Sequence, residues 1–226
     1  MRSVPQDRSH LIPVPRLKVR TGQWLARTAF FLLLAFPLLA QPAWQSMFDG
    51  ATLGNWRATP FAGAGPVSVK DQSIHLVSGP LTGVTWTKDF PTVNYELRLE
   101  AQRVSGRDFF AGITFPYFDT HCTWINGGWG GTIVGLSSLD GMDASENETS
   151  FRREFESGRW YKFWLRVTPG RIHAFIDGEA VIDIDVSTRA VSLRDGPIDL
   201  SRPLGIAAYY TTARLRNIEY RPLPVP

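Results

Sequence analysis

Residues that could move protons or stabilise charge are concentrated in one segment, Asp119–Arg152. Histidine titrates near neutral pH, carboxylates can act as general bases, and an arginine can stabilise a developing oxyanion. The segment is rich in glycine and lacks the strand-like alternation of its neighbours, so we predict a loop-rich insert that carries the functional site. The candidate catalytic residues in it are His121, Asp140, Asp143, Glu148 and Arg152.

The acidic part of this segment, residues 140–148, also has a composition that suits a hard cation. It places five oxygen-bearing side chains within nine residues, and calcium takes about 6 to 8 oxygen ligands in flexible geometry. The spacing differs from that of an EF-hand loop, and the same residues could instead form turns and satisfy loop backbone groups. Calcium or another divalent cation is therefore one hypothesis, and a purely structural loop is the other. The five residues are Asp140, Asp143, Glu146, Asn147 and Glu148.

Two tryptophans of the segment, Trp124 and Trp129, favour a carbohydrate ligand. Sugar rings place their C–H faces on aromatic planes, and an adjacent polar group such as the amide of Asn147 fixes their orientation. Trp129 stands between the glycine pairs 127–128 and 130–131, whose missing side chains would leave its ring accessible. We therefore predict that Trp124, Trp129 and Asn147 bind the sugar.

The first forty residues have the pattern of a secretory signal peptide. A basic stretch precedes the apolar run 28–40, which Pro37 interrupts near its end. This run of about thirteen residues is shorter than the roughly 20 that a spanning helix needs. We predict cleavage after Ala40 or Ala43 and export of the remainder to the periplasm or the cell exterior, without a membrane association. A retained membrane anchor is the alternative.

The net positive charge of the whole chain comes from the residues of that leader. The leader holds six of the 24 Lys and Arg residues and one of the 21 acids, which leaves 18 basic and 20 acidic residues, a net charge of −2. No basic surface is expected, and nucleic acid is excluded as a partner. The single cysteine, Cys122, excludes an internal disulfide and is too little for a thiolate metal site.

The rest of the sequence predicts an all-β fold. Apolar and polar residues alternate along 95–102 and 160–167, and this places Trp160 and Trp164 on the face away from the core. Asp177-Gly178 between two further alternating runs predicts a hairpin, and 214–220 predicts a final strand. Many short antiparallel strands around one core indicate a sandwich of two antiparallel sheets.

The order of these elements resembles the 3-keto-disaccharide hydrolase domain family. The resemblance covers residues 44–223, and it implies a concanavalin-like jelly-roll sandwich and a carbohydrate substrate. The sequence departs from the common family pattern at Phe109–Ile113, where many members have Asn-Ser-Gly-Ile followed by an arginine. The motifs that carry the resemblance are Phe48-Asp49-Gly50 with Leu53 and Trp56, the run 95–104, Gly158-Arg159-Trp160-Tyr161, the hairpin 171–181 and Leu215–Ile218.

The resemblance also implies a chemistry. A carbonyl at sugar carbon 3 acidifies the proton on carbon 2, so a base can remove it, expel the glycosidic oxygen and let water add back. The carboxylate run typical of laminarinase-like jelly rolls, Glu-x-Asp-x-x-Glu, is absent. Together with the resemblance, the sequence therefore favours an exported enzyme that hydrolyses 3-keto-glycosides or related modified sugars by elimination and hydration. The alternative is a non-catalytic, lectin-like module that binds carbohydrate.

Overall fold

The protein forms a β-sandwich in a computed structural model, which describes residues 42–224. The predicted signal peptide, residues 1–40, lies outside the described residues. None of the helices among the described residues is both long and apolar enough to span a bilayer. One 3₁₀ helix, Pro197–Ser201, accompanies fifteen strands. The strands are β1 (Gln45–Ser46), β2 (Trp56–Ala58), β3 (Val67–Lys70), β4 (Ser73–Leu76), β5 (Thr82–Trp86), β6 (Tyr95–Gly106), β7 (Gly112–Tyr117), β8 (Thr120–Gly128), β9 (Ile133–Ser137), β10 (Phe151–Arg152), β11 (Trp160–Thr168), β12 (Arg171–Ile176), β13 (Glu179–Asp185), β14 (Gly205–Ala208) and β15 (Thr211–Pro222).

The strands pair into two antiparallel sheets, as the sequence predicted. Sheet A has the order β13-β12-β11-β6-β15-β4-β3, and β1 also pairs with β15. Sheet B has the order β10-β9-β8-β7-β14-β5-β2. The predicted Asp177-Gly178 hairpin is confirmed, because it joins the antiparallel neighbours β12 and β13.

The core lies between the two sheets. The strands of sheet A contribute to it the apolar side chains at alternate positions. Leu97 and Leu99 of β6 pair with Leu165 and Phe163 of β11, and all four side chains are buried. The ring of Trp124 on β8 packs edge-on against Phe163, with centroids 5.6 Å apart, so it joins sheet B to sheet A. Burial of these apolar surfaces is the main stabilising contribution to the fold.

The outer face of sheet A carries a ladder of charged and aromatic side chains. The carboxylate of Glu96 is fully buried and accepts a hydrogen bond from Arg166 Nε at 2.6 Å. Trp164 stacks on Phe175 with centroids 4.5 Å apart, and the guanidinium of Arg216 lies 4.0 Å from the ring centroid of Trp160. Both tryptophans therefore lie on the outer face, as predicted, and their rings are covered by neighbouring side chains.

The outer face of sheet B is covered by a connection that we call the strap, residues 193–204 between β13 and β14. The Oγ1 atom of Thr85, on this face, donates to the carbonyl of Leu200 at 3.2 Å. A Cβ atom added to Gly205 would lie only 2.6 Å from atoms of Ser201, so the strap and β14 pack too closely for any side chain there. The strap thus covers the part of this sheet face that β5 and β14 form.

The burial of β8 and β9 on both faces explains why the segment Asp119–Arg152 lacks alternation. We predicted a loop-rich insert, and this prediction is wrong for much of the segment, since β8 and β9 lie within it. Residues 122–128 and all of β9 are buried, because one face meets the core and the loop after β9 lies over the other, as where Ala144 meets Gly135 and Asn147 donates to Leu136. A strand that is buried on both faces needs no polar side chains at alternate positions.

Candidate functional site

The candidate site is a pocket of about 360 Å³ between the strap and the outer face of sheet B, near the ends of β8 and β9. Thr123 and Ile125 of β8 form its floor, because they alternate with the core residues Cys122 and Trp124. Its walls combine carboxylates, an arginine and aromatic rings. The lining residues are Leu81, Asp108, Phe109, Thr123, Ile125, Trp129, Ser137, Asp143, Arg194, Asp195, Gly196, Pro197, Ile198 and Tyr209.

Asp143 is the predicted catalytic residue that the structure places in this pocket. Its Oδ1 atom accepts hydrogen bonds from Ser137 Oγ and, at 2.9 Å, from the backbone N–H of Ala144. Its Oδ2 atom lies 2.6 Å from Arg194 Nη1, which comes from the strap. The carboxylate is therefore held in one orientation, and it holds the guanidinium of Arg194 at the edge of the pocket.

The other two carboxylates of the pocket, those of Asp108 and Asp195, differ in whether protein groups already bind their oxygens. Asp108 accepts hydrogen bonds from the backbone N–H of Phe109 at 2.8 Å and of Gly130 at 3.0 Å, so it fixes the loop that carries Trp129. Asp195, on the strap, is exposed and makes no hydrogen bond or ion pair with another described residue. Asp195 is thus the carboxylate of the pocket that is free to accept a proton from a ligand.

Aromatic rings line the same pocket. Trp129 is 43% exposed, and its backbone has a φ of 48°, which is unusual for a bulky residue. Phe109 stacks on Tyr209 with centroids 5.7 Å apart and an interplanar angle of 19°. The structure places Trp129 where a sugar could contact it, and its role in binding stays a prediction.

His121 lies on the same outer face of sheet B but does not line the pocket. It precedes the pocket residue Thr123 by two positions on β8 and is half-buried. Burial, and the nearby positive charge of Arg202, lower the pKa of its imidazole from the ordinary value of 6.5. Both effects favour the neutral imidazole, and the structure places His121 outside the pocket that contains Asp143.

Asp140 and Glu148 lie outside the pocket, and both bind the same guanidinium. Arg189 Nε lies 2.5 Å from Asp140 Oδ2, and Arg189 also donates to both oxygens of Glu148. The hydrogen bond from Arg189 lowers the pKa of Glu148 to about 2. The pKa of Asp140 is lowered mainly by a hydrogen bond from the backbone N–H of Ala190 and, to a smaller extent, by the hydrogen bond from Arg189. The structure does not bring these two acids to the pocket, since Arg189 holds them at another part of the surface.

This arrangement also fails to support the calcium hypothesis for residues 140–148. The positive charge beside Asp140 and Glu148 is supplied by Arg189, and Asp143 faces Ser137 and Arg194 instead. In residues 42–224, no three His, Cys, Asp or Glu side chains are grouped closely enough to hold a metal ion. The segment is better described as a loop that ion pairs and turns stabilise.

Replacing Arg189 with glutamine is expected to raise the pKa of Glu148 from about 2 to near its ordinary value of 4.5. The depressed pKa means that the ion pair stabilises the folded state above pH 4.5 and that this contribution is lost as the pH falls towards 2. Carboxyl-carbon chemical shifts followed by NMR across this range would measure the midpoint. An unchanged Glu148 midpoint in Arg189→Gln would contradict the assignment, and Arg171→Gln is a matched control because Arg171 pairs with Asp183 instead.

Two of the predicted sugar-binding residues are structural, so those predictions are wrong. The side chain of Trp124 is completely buried in the core and cannot touch a ligand. The amide nitrogen of Asn147 donates to the carbonyls of Leu136 and Asp143, at 2.7 and 2.9 Å, and its oxygen accepts from Thr149. Asn147 is 5% exposed and therefore has no free polar group to offer a sugar.

Arg152, the last predicted catalytic residue, also lies away from the pocket. It is exposed at the end of β10, and its Nη1 atom donates to Thr132 Oγ1 at 3.2 Å. The pocket residues that the sequence did not predict include the charged and aromatic ones Asp108, Phe109, Arg194, Asp195 and Tyr209. The run Arg194-Asp195-Gly196-Pro197 between two strands was the available sequence signal, because charged and turn-forming residues there mark an exposed connection.

Three solved structures with the same architecture are described as carbohydrate-active proteins. A prokaryotic β-1,3-1,4-glucanase (lichenase) derived from a mouse hindgut metagenome is 13% identical, with a TM-score of 0.53, and the match covers 81% of this chain and 100% of the glucanase. The Crh5 transglycosylase is 12% identical, with a TM-score of 0.54 and coverage of 83% and 86%. The carbohydrate-binding module CBM66 from Bacillus subtilis is 12% identical, with a TM-score of 0.50 and coverage of 74% and 95%. At these identities the likeness shows the fold, and it confirms the predicted concanavalin-like jelly roll.

Sequence comparison identifies the family of this jelly roll. A comparison with curated protein sequences gave no match. The sequence profile of the 3-keto-alpha-glucoside-1,2-lyase-like domain matches residues 43–221, which include every strand of both sheets but the last residue of β15. The resemblance seen in the sequence motifs is therefore confirmed, and this chain belongs to the 3-keto-α-glucoside-1,2-lyase-like domain family.

Proposed function

We propose that the protein is an exported enzyme that cleaves 3-keto-α-glucosides by elimination across carbons 1 and 2, with the pocket beside the strap as its active site. The observation that carries the proposal is the free carboxylate of Asp195 in the same pocket as the Arg194–Asp143 ion pair. A base and a fixed cation are the two groups that such an elimination requires. The family to which the chain belongs supports the substrate class.

In this mechanism Asp195 acts as the general base. Its carboxylate removes the proton from carbon 2, and the electron pair moves towards the carbonyl at carbon 3 to give an enolate. The enolate then expels the glycosidic oxygen from carbon 1, so that a C1=C2 double bond forms and the carbonyl is restored. The leaving oxygen takes up a proton, which protonated Asp195 or water can supply. Water adding across the double bond would complete a net hydrolysis.

Arg194 and Asp143 act on the charge that develops during this reaction. The negative charge of the enolate is concentrated on the oxygen at carbon 3, and a guanidinium placed there lowers the barrier. Asp143 is itself oriented by Ser137 and by the backbone of Ala144, and its ion pair with Arg194 fixes the position of the guanidinium. Asp143 is therefore a positioning residue for Arg194 in this proposal.

The deciding experiment compares a 3-keto-α-glucoside with its unoxidised parent, using the mature chain with and without a chelator. We expect release of the leaving group from the keto form alone, because only its carbon 2 proton is acidic. Binding of both sugars without turnover of either would assign the protein to the lectin-like alternative. Loss of activity on chelation would show that a metal ion contributes to the reaction and would require a revised mechanism.

Replacing Trp129 with alanine is expected to weaken sugar binding by about five- to tenfold, since a stacking contact contributes about 1 kcal/mol. The ring is 43% exposed, so the free energy of unfolding should change little. Isothermal titration calorimetry with the keto sugar measures the affinity, in an Asp195→Asn background so that the sugar is not cleaved. Phe118→Ala is a matched control, because Phe118 is 45% exposed, has a φ of 51° and does not line the pocket. Equal affinity of the Trp129 variant and the wild type would remove Trp129 from the site.

A further inference from the structure

We propose that Tyr209 and Tyr210 form a second sugar subsite, contiguous with the pocket, for the ring that is attached to the 3-keto-glucosyl unit. This inference rests on the proposed function. Tyr209 lines the pocket, and the neighbouring Tyr210 does not. Their side chains are 39% and 56% exposed, and Tyr210 is the more exposed of the two. A substrate that leaves the pocket on this side would therefore meet an aromatic surface.

The rings that form this surface are in contact with one another. Phe109 stacks on Tyr209 with centroids 5.7 Å apart, and the ring of Tyr210 meets that of Tyr209 at 4.7 Å with an interplanar angle of 85°. Phe109 and Tyr209 belong to the pocket wall, so the series of rings continues from the pocket to Tyr210. Successive aromatic rings offer successive C–H stacking surfaces to linked sugar rings.

The backbone holds these rings in place. The N–H of Tyr209 donates to the carbonyl of Phe109 at 3.0 Å, and the N–H of Tyr210 donates to that of Gly79 at 2.8 Å. The next residue, Thr211, accepts from the N–H of Asp108 and donates to its carbonyl through one hydroxyl group, both at 3.1 Å. A fixed turn loses little further freedom when a ligand binds, which favours affinity.

The backbone conformation of Tyr210 is unfavourable for a bulky side chain. Its φ is 43°, in the left-handed region where glycine or asparagine is easily accommodated and a bulky side chain is an outlier. The ring is exposed, and its hydroxyl makes no hydrogen bond to another residue in 42–224. Strained residues of this kind cluster at ligand-binding positions. A phenol that is exposed, rigid and free to donate or accept suits the hydroxyl-rich edge and apolar face of a sugar ring.

The test uses Tyr210→Gly, which removes the ring and the backbone strain together. Two groups of probes are compared, namely methyl 3-keto-α-glucoside and the 3-keto derivatives of maltose, isomaltose and trehalose. We expect unchanged affinity for the methyl glucoside and a five- to tenfold loss for at least one disaccharide, measured by calorimetry in an Asp195→Asn background so that the probes are not cleaved. The thermal midpoint should stay the same or rise, because glycine adopts a positive φ without strain. A purely structural tyrosine would not give this combination of retained stability and selective loss.

Phe118→Gly is the control, since Phe118 is also exposed at positive φ but lies outside the pocket. It should leave all affinities unchanged. If Tyr210→Gly binds every disaccharide as the wild type does, or loses the methyl glucoside to the same extent, the second subsite is overturned while the proposed function stands. If the wild-type protein neither binds nor cleaves any of the probes, the proposed function itself is overturned, and the subsite with it.

Discussion

Replacing Asp195 with asparagine is expected to lower kcat on a 3-keto-α-glucoside by about 10²- to 10⁴-fold, the usual effect of removing a general base. The substitution keeps the size of the side chain and removes its ability to accept a proton. Asp195 is exposed and makes no hydrogen bond or ion pair within the described residues, so the free energy of unfolding should change by less than about 0.5 kcal/mol. Initial rates of leaving-group release measure the effect, and urea unfolding checks the fold.

The division of this effect between kcat and KM distinguishes catalysis from binding. A group that acts only in the transition state lowers kcat and kcat/KM together, whereas a group that only binds the sugar raises KM. The matched control is Asp119→Asn, because Asp119 is also exposed and lies in the turn between β7 and β8, outside the pocket. An Asp195→Asn enzyme with wild-type kcat would remove Asp195 from the mechanism, and Asp143 would become the next candidate base.

The sequence was most informative about strands that have one apolar face and one polar face. Residues 95–102 and 160–167 alternate because polar and charged side chains make up much of the outer face of sheet A, and both runs are strands in the structure. The same reasoning failed for β8 and β9. The outer face of β9 is covered by the loop that follows it, as at Gly135 and Ala144, and the outer face of β8 lies across the pocket from the strap, so the periodic signal is lost. Whether a strand alternates thus depends on which other segments of the chain lie over its outer face.

The residues of the candidate site were likewise predictable from the sequence only in part. Trp129 and Asp143 could be predicted because unusual residue types are concentrated around them, and both line the pocket. Arg194 and Asp195 complete the pocket from the strap, and only the topology of sheet B brings that connection to β8 and β9. Asp140 and Glu148 were close to Asp143 in sequence, but Arg189 binds them elsewhere. Local composition therefore identifies candidate residues, and long-range pairing decides which of them share a site.

Trp124→Ala is expected to lower the free energy of unfolding by about 3–5 kcal/mol, the range for removing a large buried aromatic side chain. Trp124 is fully buried on β8, and its ring packs against Phe163 of the opposite sheet, so alanine would leave a cavity between the two sheets. For a domain of this size the thermal midpoint should fall by roughly 10 °C or more. Urea unfolding followed by circular dichroism measures the change directly.

The comparison of Trp124 with Trp129 separates a core tryptophan from a ligand-binding one. Trp129→Ala should lose sugar affinity at nearly wild-type stability, because its ring is 43% exposed, whereas Trp124→Ala should lose stability. Trp124→Phe gives a milder variant that keeps an aromatic ring in the core and removes an indole N–H that is buried without a hydrogen-bond partner. Its smaller loss of stability, about 1–2 kcal/mol, should leave a folded protein with wild-type sugar affinity. A folded Trp124→Phe protein that had lost its affinity for sugar would show instead that the ring of Trp124 reaches the ligand, which its complete burial opposes.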